Sequence, residues 1–228
     1  ELFVFDWDGT LVDSIGRIVA CTVASLRDAG LPPVDEQRVR MSIGLGIRTM
    51  VDRFVPGCDD ATFERICDAY RSHWHETYSR DPVLFDGARE ALLELERDGY
   101  LLAVATAKSR WGLASDLAAT GLESMFHSTR TADESRSKPH PAMLLEILDD
   151  LGVRAGRALM VGDTVHDLQM AVNASVAGLG VTSGSHDRRE LAEVPALDYL
   201  EGVSSMPAWL RRQGSGAGAG APRCRCRW

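Results

Sequence analysis

Two aspartates, Asp6 and Asp8, stand two residues apart directly after the apolar run Leu2-Phe3-Val4-Phe5. In an extended segment, positions i and i+2 point the same way, so the two carboxylates converge on one spot. Acids crowded together repel unless a cation or a shared proton relieves them, and hard oxygen donors of this kind suit Mg²⁺. The alternative is a polar turn closing a strand, with Asp and Gly9 as turn residues. Downstream residues favour the first reading. Leu159-Met160-Val161-Gly162-Asp163 again delivers an acid at the end of an apolar run. Asp167 follows one helical turn later, so Asp163 and Asp167 can face the same ion. Taken alone, those two would read as the acidic first turn of a helix. Together, Asp6, Asp8, Asp163 and Asp167 form a candidate metal set. Asp6, Asp163 and the backbone carbonyl of Asp8 would suffice as protein ligands, with Asp167 as a further ligand or a support behind them.

The elements that must position these residues are legible as an alternation. From Asp86 onward, strand-like segments (101–105, about 126–129, 158–161, 177–181) alternate with helical ones (87–98, 111–120, 141–151, 165–174). That alternation is the pattern of a parallel sheet with crossover helices. Ligands bind at the carboxyl ends of the strands in such sheets, where the acids fall. Residues 15–82 show no strand-like alternation. Ser14 can cap a helix reaching about residue 29, ended by Gly30 and Pro32-Pro33. Short helices at 35–42 and 47–55 flank Ser42-Ile43-Gly44-Leu45-Gly46, and a longer helix starts at Asp59 or Asp60 and runs to about 79. The expected fold is α/β, a Rossmann-like three-layer parallel-sheet core from residues 1–14 and 83–212, interrupted by a helical insertion at 15–82. Residues 213–228, rich in Gly and Ala and ending in an Arg/Cys run, are expected to be a disordered tail.

Asp6-x-Asp8-x-Thr10 resembles motif I of the haloacid dehalogenase (HAD) superfamily of phosphotransferases, and the resemblance runs from about residue 2 to residue 200. It implies that Asp6 is the nucleophile and Asp8 the general acid/base. Thr106, at the end of the strand 101–105, resembles motif II, whose hydroxyl binds the transferring phosphoryl group. Ala107 joins the same phosphate-binding set where many relatives carry Asn or Gly. Lys138, in Ser137-Lys138-Pro139-His140-Pro141, resembles motif III, and an ammonium there could neutralise both Asp6 and an incoming phosphate dianion. Pro141 suits the first turn of the next helix, and His140 reads as a loop imidazole. The segment carrying Asp163 and Asp167 completes the set. The insertion at 15–82 looks like the C1-type helical cap of the family, which closes over the active site. Within it Arg48 is the candidate for binding a substrate anion, with a solvated surface arginine as the alternative. His73, Trp74 and His75 read as packing or surface residues.

Composition narrows the function. Net charge is −8 over 228 residues, and the five arginines beyond residue 210 contribute +5, which leaves −13 on residues 1–210. Such a body argues against nucleic acid or anionic membrane as partners. No apolar run approaches a membrane span, no signal segment precedes the first strand, and the five cysteines form neither a disulfide framework nor a zinc pattern. The expectation is a reduced, cytoplasmic protein. Of 25 basic residues only Lys108 and Lys138 are lysines, and both fall beside the proposed chemistry. Asp8 argues against dehalogenation, since dehalogenases of the family lack the second acid. The absence of lysine from 15–82 excludes a Schiff-base phosphonate hydrolase. What remains is a Mg²⁺-dependent phosphomonoester hydrolase acting on a small phosphorylated metabolite through an aspartyl-phosphate, resembling the phosphoglycolate phosphatases. The alternatives are a sugar phosphomutase of the β-phosphoglucomutase type and a regulatory binding protein that has lost turnover.

Overall fold

The computed structural model describes residues 1–78 and 81–215. One sheet of six parallel strands has the order β3-β2-β1-β4-β5-β6, with β1 Leu2–Phe5, β2 Leu101–Thr106, β3 Ser128–Thr131, β4 Ala158–Gly162, β5 Ala177–Val181 and β6 Tyr199–Leu200. The helices are α1 Ile15–Asp28, α2 Glu36–Arg40, α3 Ile47–Phe54, α4 Asp60–His73, α5 Ala88–Arg97, α6 Arg110–Thr120, α7 Ala142–Asp150, α8 Val165–Asn173, α9 Arg188–Leu191 and α10 Met206–Ser215.

Strand β1 is central, pairing with β2 (Leu2 opposite Leu101) and with β4 (Leu2 opposite Ala158). Its alternate side chains enter two different cores. Phe3 and Phe5 pack with Leu102, Val104, Leu159 and Val161 beneath α5, α6 and α10. Leu2 and Val4 pack with Ala103, Ala105 and Met160 beneath α7 and α8. Burial on both faces is why these strands read as unbroken apolar runs, and it makes the fold the expected three-layer α/β sandwich. The chain builds outward from β1 to β3, then returns to add β4, β5 and β6 on the other side. That reversal opens a crevice at the carboxyl ends of β1 and β4.

Residues 15–78 contain only helices and their connections, ending in the π-helical turn Trp74–Tyr78. The chain leaves and rejoins the sheet at adjacent points, with Asp13 N donating to Val83 O at 2.9 Å and Phe85 N to Leu11 O at 3.0 Å. This block has its own apolar clusters, one around Ile15, Val19, Val39 and Ile43 and one around Leu26, Val51, Cys58 and Ile66.

Some expectations shift. Ser14 occupies the N-cap position of α1 but makes no capping bond there; its hydroxyl goes to the site described below. Strand β3 lies two residues later than expected, because Met125 and Phe126 pack into the core before the polar edge strand begins. Helix α10 runs to Ser215, past the expected start of the tail, anchored through the buried Met206 and Trp209. The remainder of the expected tail, 216–228, lies outside the described residues.

Candidate active site

The carboxyl ends of β1 and β4 place three acids and one lysine together. Asp6 follows β1 and has its backbone N–H tied to Val161 O at 2.9 Å. Asp163 follows β4, and Asp167 lies in the first turn of α8. One carboxylate oxygen from each of Asp6, Asp163 and Asp167 falls within 4.8 Å of the others, and all three residues are buried. Lys138, from the loop between β3 and α7, enters this cluster with Nζ 2.8 Å from Asp6 Oδ1 and 2.6 Å from Asp167 Oδ1. Three carboxylates against one ammonium leave the cluster short of positive charge. Burial pushes the Asp6 carboxyl well above the usual carboxylate range, with Lys138 opposing and Asp167 and Asp163 adding to the rise. Asp163 is pushed up to about 7, first by burial and then by Asp167. Burial works against the Lys138 charge, but Asp167 and Asp6 outweigh it and raise its pKa.

Asp163 and Asp167 are each held by further hydrogen-bond donors. Thr10 Oγ1 donates to Asp163 Oδ1 at 2.8 Å and Ser185 N to Asp163 Oδ2 at 2.7 Å. Gly9, at φ +85°, lies so close that a Cβ there would sit 2.4 Å from Asp163 Oδ2, so both the turn and the contact demand glycine. Asp167 does two jobs. Its Oδ2 accepts from Thr164 N at 3.1 Å and from Thr164 Oγ1 at 2.7 Å, closing the capping box of α8, while Oδ1 faces Lys138. The helix-cap reading of Asp167 and its place in the acid cluster are therefore both present in one side chain.

Asp8 faces away from that cluster into a second network. Ser14 Oγ donates to Asp8 Oδ1 at 2.7 Å, and Lys108 Nζ lies 3.1 and 3.2 Å from its two oxygens. Lys108 also pairs with Asp116 at 3.2 Å, and Trp7 Nε1 donates to Asp116 Oδ2 at 2.9 Å. The sequence marked Lys108 only as lying beside the chemistry; it sits on Asp8 itself. Ser14, Asp116 and Trp7 were not foreseen as site residues. Thr106 is buried at the end of β2, and its hydroxyl oxygen accepts from Lys108 N at 3.2 Å. Thr106 and Ala107 both line the cavity above Asp6 and Asp8.

That cavity, of about 930 Å³, lies between the strand ends and the helical block. The loop Gly44-Leu45-Gly46 and α3 border it on one side, and the end of α4 on another. Arg48 lines it too, but its guanidinium is engaged by Asp60 (3.1 Å), Cys58 O (3.3 Å) and Asp52 (3.8 Å) and lies over the Phe63 ring. His140 is a loop imidazole accepting from Ala142 N at 3.2 Å, and His73 pairs with Asp28 at 2.7 Å. Trp74 and His75 depart from the packing or surface role read from sequence: both line the cavity. Both lie where α4 passes into the π-helical turn Trp74–Tyr78, a kind of turn frequent at functional sites.

The donors at the strand ends fit a small hard dication. Two carboxyls already raised by burial and mutual repulsion would be relieved by one, and Asp6 and Asp163 offer the hard oxygens it takes.

Comparison with known proteins agrees with this geometry. A family model described as Haloacid dehalogenase-like hydrolase matches residues 3–181. A Dickeya dadantii protein named "Probable phosphatase IndB" is 38% identical over 199 residues, covering 83% of this chain and 84% of its own. A phosphoglycolate phosphatase of Pectobacterium atrosepticum is 34% identical, covering 79% of each chain. The crystal structure of a hydrolase from Pseudomonas syringae superposes with a TM-score of 0.82 at 26% identity, covering 92% of this chain and 97% of its own. The chain belongs to the haloacid dehalogenase-like hydrolases, and is an enzyme of the phosphatase kind within that family.

Proposed function

We propose that the protein is a Mg²⁺-dependent phosphomonoester hydrolase that works through an aspartyl-phosphate on Asp6. The observation that carries this reading is the buried cluster of Asp6, Asp163, Asp167 and Lys138 opening onto a cavity whose wall holds Asp8. Asp6 attacks phosphorus, and the bond to the ester oxygen breaks as Asp8 gives that oxygen a proton. Water then attacks the acyl phosphate, losing its proton to Asp8 and freeing phosphate and Asp6. Lys138, held at 2.8 Å from Asp6, neutralises the nucleophile so that a phosphate dianion can approach it. Thr106 and the backbone at Ala107 hold the phosphoryl oxygens. Lys108 and Ser14 fix the Asp8 carboxylate toward the leaving group. Bound by Asp6, Asp163 and the Asp8 carbonyl, Mg²⁺ would supply a Lewis acid for the phosphoryl oxygens, and Asp167 would serve by holding Lys138. Residues 1–14 and 83–212 act as the catalytic core and 15–82 as a cap that shields the reaction from water. The Arg48 guanidinium is engaged by Asp60 and Asp52 and takes no part in the phosphoryl transfer.

Among the described residues no helix is long and apolar enough to cross a membrane, and Cys21, Cys58 and Cys67 are free thiols; both support a cytoplasmic protein acting on a small phosphorylated metabolite. The test is a panel of phosphomonoesters with and without Mg²⁺, following released phosphate. Metal-dependent release supports the reading, as does a melting temperature that rises with Mg²⁺. Native-state binding is worth about 2.7 kcal/mol at a hundredfold excess over Kd. Phosphate release that survives EDTA, or isomerised sugar phosphate in place of free phosphate, would contradict it.

A further inference from the structure

The geometry points to a substrate whose leaving group carries a flat, uncharged aromatic ring, an inference that rests on the hydrolase reading of this same cavity. Size is the first argument. At about 930 Å³ the cavity lies at the upper end of the range for pockets that enclose a whole organic ligand, far more than a short carboxylated phosphate needs.

Ring placement is the second. Trp74, His75 and Trp111 all line the cavity, with the His75 and Trp111 rings edge-to-face at 5.1 Å. Trp74 is backed by Tyr70, stacked at 6.0 Å and 8°, so its orientation is set before a ligand arrives. Lys108 Nζ lies over the Trp74 ring at 5.5 Å and is itself 3.1 Å from Asp8, so the indole is held by Tyr70 and Lys108 and fixes the cavity wall beside the acid. The open ring face is that of Trp111. Trp111 leaves 63% of its surface open to solvent, a large apolar area for a residue that usually hides it. A flat ligand ring would cover it.

Charge is the third. The cationic side chains lining the cavity among the described residues are Arg48, Arg71 and Lys108. Each has acidic partners: Arg48 has Asp60 and Asp52, Arg71 has Asp68 and Glu64, and Lys108 has Asp8 and Asp116. Asp81 and Asp133 add further negative charge to the wall. The positive charge of all three is therefore already countered by carboxylates, so the wall offers little net attraction to a second anionic group on the substrate, while a neutral ring needs none.

Three esters with poor leaving groups test the inference on the intact protein with Mg²⁺: benzyl phosphate, cyclohexylmethyl phosphate and 2-phosphoglycolate. The expected order of kcat/KM places benzyl phosphate about tenfold or more above each of the others, the size of one aromatic stacking contact. Trp111→Ala should collapse the benzyl-to-cyclohexylmethyl ratio about fivefold, chiefly through KM, and Trp111→Phe should restore most of it. Trp111 is exposed enough that neither variant threatens folding. A preference for 2-phosphoglycolate, or a ratio indifferent to Trp111→Ala, would overturn the inference while leaving the hydrolase reading intact. No phosphate release from any ester, natural phosphometabolites included, would overturn both.

Discussion

On the strand side of the cavity Asp6, Asp163, Asp167 and Lys138 are buried together: Lys138 lies within 2.8 Å of both Asp6 and Asp167, and Asp163 takes donors from Thr10 and Ser185. On the opposite side, where α3, α4 and the first turn of α6 meet, the cavity wall is made of rings and of arginines paired at the surface, with Trp111 largely exposed. On the strand side a change disturbs charge balance and reaction together. The ring side holds shape rather than charge, and a change there should alter which ester binds more than how fast phosphorus is transferred.

The sharpest break of that contrast is Asp6→Asn. An amide cannot form the phosphoryl ester, so turnover should fall on the order of 10⁴-fold or more, as for loss of a nucleophile elsewhere. The amide also escapes the burial penalty that raises the Asp6 pKa, so the melting temperature should not drop. Steady-state hydrolysis and thermal melts on the same preparation check both halves. A purely structural cluster would give the reverse pattern.

Next in size is Lys138→Arg. The charge survives, but a planar fork must occupy a fully buried slot between Asp6 and Asp167. A displacement of about 1 Å at the reacting groups can cost on the order of 10²-fold, and that loss should appear in kcat. Lys108→Arg should be milder, roughly tenfold, because Ser14 still holds Asp8. Equal kcat for both arginine variants and wild type would remove the distinction between the lysines.

A smaller effect tests how the two sides are joined. Gly46 has ordinary backbone angles, yet a Cβ there would lie 2.2 Å from Ser137 Oγ and 2.8 Å from Ser137 Cβ. Gly46→Ala should therefore push the helical block off the loop carrying Lys138 and lower kcat by roughly tenfold. Ser137→Gly in the same chain should recover most of the loss. Additive losses in the double variant would show that the contact does not couple the two sides.

The smallest prediction concerns pH and stability. His166, beneath the Met41 carbonyl at 3.3 Å and beside His186, is held down to about 4 by burial. Its native pKa lies below the unfolded value near 6.5, so its contribution to stability is full above 6.5 and is lost as pH falls toward 4. Asp163 acts in the opposite sense. Its native pKa of about 7 lies above the unfolded carboxylate value, so in metal-free protein it adds stability at low pH that is lost as pH rises through 7. Replacing only the histidine separates the two. Between pH 7 and pH 5, metal-free His166→Phe should lose about 2 kcal/mol less stability than wild type, read from denaturant melts. Parallel curves for the two proteins would contradict the buried neutral imidazole.

What the sequence discloses follows from how local each feature is. Asp6, Asp8 and Asp163 stand at the ends of apolar runs, where strand periodicity puts them on one edge of a sheet, and Asp167 follows Asp163 by one helical turn. Lys138 stands out as one of two lysines among 25 basic residues. The Asp8 network does not stand out, because Lys108 and Asp8 are 100 residues apart and Trp7 and Asp116 are 109 apart. Ser14 has the ordinary look of a helix cap and spends its hydroxyl on Asp8 instead. Trp74 continues the helical face of Cys67, Tyr70 and Arg71, but periodicity does not say whether that face packs against a neighbour or lines a cavity. Strand β6 is two residues long, too short for a pattern.

If Asp6 carries the phosphoryl group between the two steps, rapid quenching in acid should trap it there. Wild-type protein is mixed with Mg²⁺ and the best ester of the panel, stopped within one turnover, digested, and its peptides weighed. The expected result is a phosphoryl group on the peptide ending at Arg17, located at Asp6, and absent from Asp6→Asn. Full turnover with the group on another residue, or with no phosphorylated peptide at any quench time, would contradict it.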